Sequence, residues 1–199
     1  MVRLGLTGGV GSGKTTVATM LLQAGAGVVD ADAISRQLTA PGGPAIETLR
    51  QVFGNEFITS DNGLDRSKIR SLVFSDPQAR QQLEGIIHPL VQHETQKQTQ
   101  SLQNAGCPCI VFDIPLLVES NSWRPKVDKV LVLDCTPEVQ IQRTVLRSQL
   151  SVVDAQQIVN AQASRNTRLK AADWVICNSS LTLKELALEV KQIHPYCGL

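Results

Sequence analysis

Neither sign of charge is in excess: 19 lysines and arginines stand against 18 aspartates and glutamates in 199 residues, a net of +1. Nucleic-acid binders normally carry a basic surplus or stripe, so that class is set aside. A small anionic ligand needs only a few local cations, which a balanced total permits. No run approaches the roughly 20 apolar residues of a membrane-spanning helix, so no membrane partner is expected. The opening residues reach Gly8 and Gly9 before a signal-peptide core can form, and the expected location is the cytoplasm. The five cysteines (Cys107, Cys109, Cys135, Cys177 and Cys197) include no Cys-x-x-Cys pair. That spacing argues against zinc and for thiols that pack as small hydrophobes. Internal repeats, low-complexity tracts and linkers are also missing.

What is present suits one compact domain: 42% hydrophobic and 19% charged residues supply a core without a disorder signature. Short Val-, Ile- and Leu-rich runs at 2–7, 27–30, 109–113, 129–134 and 173–177 read as buried strands. Between them lie amphipathic stretches with good helix starts. Asp76-Pro77 and Thr136-Pro137 place a capping side chain before a proline, and Ser151/Asp154 and Thr182/Glu185 have capping-box spacing. Strands alternating with helices predict a three-layer α/β domain on a parallel five-stranded sheet. Ligands of such sheets bind beyond the carboxyl ends of the strands, where Asp30, Asp32, Asp113 and Asp134 fall.

Two stretches exceed this alternation. Residues from about 44 to 105 are mostly helical, with a turn at Ser60-Asp61-Asn62-Gly63 and a kink expected at His88-Pro89. They read as a helical insertion that binds an acceptor. Residues from about 143 to 169 carry Arg143, Arg147, Arg165 and Arg168 on two predicted helices and read as a mobile lid.

The strongest signal is Gly8-Gly9-Val10-Gly11-Ser12-Gly13-Lys14-Thr15, a match without exception to G-x-x-x-x-G-K-[ST]. Glycines let the backbone wrap closely, so that successive N–H groups converge on a phosphate. The helix that follows, entered through Thr16, adds its N-terminal donors and the positive end of its dipole. Residues 9–16 are therefore the expected binding run for ATP. Within it Lys14 bridges the β- and γ-phosphates, and the Thr15 hydroxyl ligates magnesium. A guanine-reading Asn-Lys-x-Asp motif is absent, since the fourth strand runs into Asp134-Cys135-Thr136. The second acid of a motor-type ATPase is absent too, because Asp113 is followed by Ile114-Pro115. The remaining reading is a small-molecule kinase with the P-loop kinase fold. A nucleotide-dependent switch without an acceptor stays open beside it.

From residue 6 to 178 the chain resembles the dephospho-coenzyme A kinase family. The resemblance rests on the phosphate loop, on Val29-Asp30-Ala31-Asp32 with Pro41-Gly42, and on His88-Pro89. It continues through Pro115-Leu116-Leu117-Val118-Glu119 and the run from Arg165 to Asn178. It implies ATP-dependent phosphorylation of the ribose 3′-hydroxyl of dephospho-coenzyme A. A nucleoside or nucleotide kinase is the neighbouring alternative, against which the long insertion favours an acceptor with a pantetheine arm. Asp32 reads either as the N-cap of a helix starting at Ala33 or as a catalytic carboxylate, and the resemblance points to the latter. Asp30 is its structural or magnesium-orienting companion. Arg143 and Arg147, four apart on one helix face, are either solvated or a grip on the migrating phosphoryl group. Arg165 and Arg168 fall in the matched run. Where the family usually has an acid after Arg147, this chain has Ser148. Asp113 is expected to orient magnesium through water. Asn178 reads equally as an adenine contact or a turn residue. His88 reads as part of a kink or acceptor pocket, and His93, His194 and Trp174 as surface or packing residues.

Overall fold

The computed structural model describes residues 1–120 and 123–199. Five strands, β1 (Val2–Gly8), β2 (Gly27–Asp30), β3 (Cys109–Asp113), β4 (Lys129–Asp134) and β5 (Trp174–Cys177), form one sheet in the order β2-β3-β1-β4-β5. β1 pairs in parallel with β3 and β4, and β4 in parallel with β5. The unbroken apolar runs follow from burial on both faces, as expected of a parallel sheet. Val111, Val130, Leu131, Val132 and Leu133 have no exposed surface.

One face is covered by α1 (Lys14–Gln23) and α9 (Leu183–Cys197). Val17 and Leu21 from the first helix join Leu186, Val190 and Ile193 from the second around Leu4, Leu6, Val111, Leu131 and Leu133. On the other face Leu117 and Val127 press on Gly5, where an added Cβ would lie 2.5 Å from Leu117 Cδ1. After β4 come α6 (Pro137–Ser148), α7 (Val152–Asn160) and α8 (Arg165–Lys170). Their starts agree with the capping residues. Thr136 accepts from the Val139 N–H ahead of Pro137, Ser151 accepts from Asp154 N–H at 3.1 Å, and Thr182 and Glu185 form a reciprocal capping box. Trp174 is half-buried against the core, 5.8 Å from the Tyr196 ring. Cys109, Cys135 and Cys197 are buried, Cys107 is half-buried and Cys177 exposed. A hydrogen bond with Cys197, together with burial, pushes the Cys109 thiol far up from its ordinary pKa.

The described chain forms two compact units, Met1–Val29 with Ser101–Leu199, and Asp30–Gln100. The second contains α2 (Ala31–Leu38), α3 (Ile46–Phe53), α4 (Arg66–Ser75) and α5 (Pro77–Asn104) as far as Gln100. Ile34, Leu38, Ile46, Leu49, Ile69 and Ile87 are its larger buried side chains. The expected turn is present: Thr59 N–H donates to the Gly63 carbonyl at 2.8 Å, with Asn62 at φ 63° between them. Asp76 accepts from Gln78 N–H at 2.8 Å ahead of Pro77. α5 continues through Pro89, and both His88 and His93 are exposed on it. Among the described residues no helix is long and apolar enough to cross a membrane.

Candidate active site

The glycine-rich loop joins the end of β1 to the start of α1, at the carboxyl edge of the sheet. The parallel register sets Asp113 opposite Leu6, Leu133 opposite Gly8 and Cys177 opposite Asp134. Asp113, Asp134 and Asn178 therefore collect at that edge, as ligand sites in parallel sheets do.

Three successive carbonyls of the loop are held by side-chain donors. Gln140 Nε2 donates to Val10 O at 3.0 Å, Arg143 Nη1 to Gly11 O at 3.3 Å, and Asn178 Nδ2 to Ser12 O at 2.8 Å. In a trans peptide the N–H of the next residue points opposite the carbonyl. Drawing these carbonyls toward α6 and the end of β5 therefore turns the Gly11 and Gly13 N–H groups to the other side of the loop. Ser12 N–H is closed on the Gly9 carbonyl at 3.1 Å. Outward-turned N–H groups, followed by the first turn of α1, form a concavity suited to an anion.

The same contacts explain the glycines. Gly11 has φ 74° and Gly13, the N-cap of α1, φ 97°. A Cβ on Gly9 would lie 1.8 Å from Gln140 Nε2, and one on Gly11 2.9 Å from the Gln140 carbonyl. Asn178 is 5% exposed, so Asn178→Ala leaves the Ser12 carbonyl without its donor. The expected result is a loss of about 1–3 kcal/mol of stability, the cost of an unsatisfied buried polar group. Thermal unfolding of the variant, with its KM for ATP alongside, measures both consequences.

Lys14 Nζ is ion-paired with Asp113, and both side chains are largely buried. The Thr15 side chain is exposed at the start of α1, with Thr16 half-buried beside it. Arg143 reaches the loop. Arg147, one turn further along α6, is exposed, so the two arginines expected to act together have different surroundings. Arg165 grips Asp134 with two nitrogens at 2.6–3.1 Å, and that hydrogen-bonded carboxylate raises the guanidinium pKa above its ordinary value. Arg168, 6% exposed, donates to the Ala163 carbonyl. Asn178, which read as an adenine contact or a turn residue, directs its amide nitrogen to the phosphate loop itself.

In the other unit the N-cap of α2 is Asp30, whose Oδ1 accepts from Ala33 N–H at 2.8 Å. Arg36 lies 3.6 Å from its other oxygen. The helix thus starts at Ala31 rather than Ala33, and the capping role weighed for Asp32 belongs to Asp30. Asp32 stands exposed in the first turn.

Four residues at the loop's surroundings had no role assigned from the sequence, although Asp134 stood at a strand end and Glu119 in a matched motif. These are Gln140 and Gln162, which bond to the loop, Glu119, whose Oε1 accepts from Ala163 N–H at 2.7 Å, and Asp134 as the partner of Arg165. α6 shows why. Its inward positions are the polar Gln140 and Thr144, while Ile141, Val145 and Leu146 line an outward depression of about 450 Å³ with Val152 of α7.

Comparison with known proteins gives the same direction. The family model for dephospho-CoA kinase matches residues 2–184. A dephospho-CoA kinase of Albidiferax ferrireducens is 58% identical over 199 residues, covering 100% of this chain and 94% of that protein. A crystal structure of a Thermus thermophilus protein, 31% identical, superposes with a TM-score of 0.85 over 98% of this chain and 97% of that one. The dephospho-CoA kinase of Campylobacter jejuni, 21% identical, shares the fold at a TM-score of 0.66, covering 98% and 96% of the two chains. Similarity of that extent, spanning both units rather than the phosphate loop alone, places this chain in the dephospho-CoA kinase family.

Proposed function

We propose that this protein transfers the γ-phosphoryl group of ATP to the ribose 3′-hydroxyl of dephospho-CoA, yielding coenzyme A and ADP. The observation that carries the reading is full-length similarity to dephospho-CoA kinases in a chain with a complete phosphate loop. The N–H groups turned outward at Gly11 and Gly13, with Lys14, bind the nucleotide phosphates. Phosphoryl transfer asks the protein chiefly for positioning and charge stabilisation, and this loop supplies both.

Asp32 accepts the proton of the attacking hydroxyl. It is an exposed carboxylate just past the end of β2, released from capping by Asp30. Arg143 and Arg147 stabilise the migrating phosphoryl group, Arg143 from a side chain already at the loop. Magnesium takes one or two protein oxygens and fills its octahedron with phosphates and water. The exposed Thr15 hydroxyl is a hard oxygen donor of that kind and the Asp113 carboxylate would orient the ion through water, so the residues fit the ion. When bound, it neutralises charge on the β- and γ-phosphates. Residues of about 44–105 form the acceptor-binding insertion in this reading, and about 143–169 the lid. Both substrates are soluble metabolites, which fits a cytoplasmic enzyme.

ADP release measured with and without dephospho-CoA tests the assignment. Release that rises severalfold with the acceptor is expected, with the product carrying a 3′-phosphomonoester by phosphorus NMR. Equal rates with and without acceptor sink the kinase reading in favour of a slow nucleotide switch.

A further inference from the structure

Val10 is held at both ends of its backbone by glutamine side chains. Gln140 Nε2 donates to its carbonyl at 3.0 Å, and its N–H donates to Gln162 Oε1 at 2.8 Å. The first glutamine lies on α6. The second lies in the short joint between α7 and α8, which is itself tied down directly after Gln162. Ala163 N–H donates to Glu119 Oε1 at 2.7 Å, the Ala163 carbonyl accepts from the buried Arg168, and Arg165 at the start of α8 is bidentate on Asp134. Residues 162–165 thus connect the crown of the phosphate loop to the segment after β3 and to the end of β4.

We infer that Gln162 is a positioning residue for nucleotide binding: it links the α7–α8 joint to Val10 and so sets the orientation of the peptides that grip phosphate. The inference rests on the reading of the loop as the ATP site. The physical reason lies in the peptide plane. With the Val10 N–H and carbonyl both bonded, the two peptide units on either side of Val10 cannot rotate freely. The orientation of the second decides where the Gly11 N–H points. Without the Gln162 acceptor, the Val10 N–H turns to water, and the Gly9–Val10 peptide from which the second unit is reached loses its side-chain restraint. Gln162 itself needs no contact with substrate.

The test is Gln162→Met, which keeps side-chain length but removes the acceptor, alongside Gln162→Glu, which keeps an acceptor oxygen. Amide hydrogen exchange at Val10, followed by NMR, is expected to speed up in the methionine variant and to stay slow in the glutamate variant. The KM for ATP in Gln162→Met is expected to rise about fivefold, the effect of one net hydrogen bond. The KM for dephospho-CoA and the Tm should change little. Unchanged Val10 exchange together with an unchanged KM for ATP overturns the inference. So does a lowered Tm with reduced kcat and unchanged KM, which marks a merely structural residue. Should Gln162→Met fail to fold, Glu119→Met removes the acceptor that holds the same joint at Ala163. A smaller rise in KM for ATP supports the link, and no rise overturns it. Val10 exchange does not depend on turnover, so a wild type lacking acceptor-dependent ADP release would fail the kinase reading separately.

Discussion

Asp32→Asn lowers kcat by at least ~10², the lower range for loss of a general base, while the KM for ATP changes little. The substitution is nearly isosteric and leaves α2 its cap, because Asp30 rather than Asp32 bonds to the Ala33 N–H. The charge lost from the first turn of α2 costs only about 0.3–1 kcal/mol through the helix dipole. Thermal unfolding should therefore be almost unchanged. A large kinetic effect without a thermal one separates a chemical role from a structural one. Steady-state kinetics with both substrates varied makes the measurement, and near-normal turnover in the variant removes Asp32 from the mechanism.

Lys14→Met gives two large effects that come apart in a double variant. Removing the ammonium group takes away the cation proposed to bind the transferred phosphoryl group, and turnover should fall ~10²–10³, as for loss of one preorganised donor. It also removes the ion-pair partner of Asp113, a carboxylate only 4% exposed. Breaking a buried pair from one side costs about 3–5 kcal/mol, which lowers Tm by roughly 6 °C or more in a chain of this size. Adding Asp113→Asn removes the buried negative charge. The double variant should regain most of the lost Tm and none of the lost turnover. If single and double variants unfold at the same temperature, the Lys14–Asp113 pair carries no stability. If the double variant regains turnover, the assignment of Lys14 to phosphate binding fails.

The elements best read from sequence were those whose cause is local. The five strands were legible within a residue because burial on both faces demands continuous apolar runs. Helix starts at Pro77, Pro137, Val152 and Leu183 were legible because a capping side chain bonds only two or three residues along the chain. The capping alternative weighed for Asp32 would have started α2 two residues late, because two aspartates compete two positions apart. Which one caps depends on where the backbone leaves the extended region, and Asp30 does so at φ −98° and ψ 106°.

α6 was opaque for the opposite reason. Its apolar residues suggest an inward face at Ile141, Val145 and Leu146, yet the buried positions are Gln140 and Thr144. A helix packed against a phosphate loop must offer donors to backbone carbonyls, so its buried side is polar. Hydrophobic periodicity assumes an apolar core on the inner side, and at this position the inner side is peptide backbone.

The sequence alone pointed to a phosphate site, and to its place in the chain. Gly8 to Thr15 combines glycines, a lysine and a hydroxyl at a spacing whose conformational needs are short-range. Tertiary structure decided how that loop is shaped for its task. The donors that hold its carbonyls, Gln140, Arg143 and Asn178, lie more than a hundred residues further along the chain. Parallel strands bring them together through their crossovers. The hydrogen bonds that aim the loop are therefore non-local, and no pattern of neighbouring residues could have announced them.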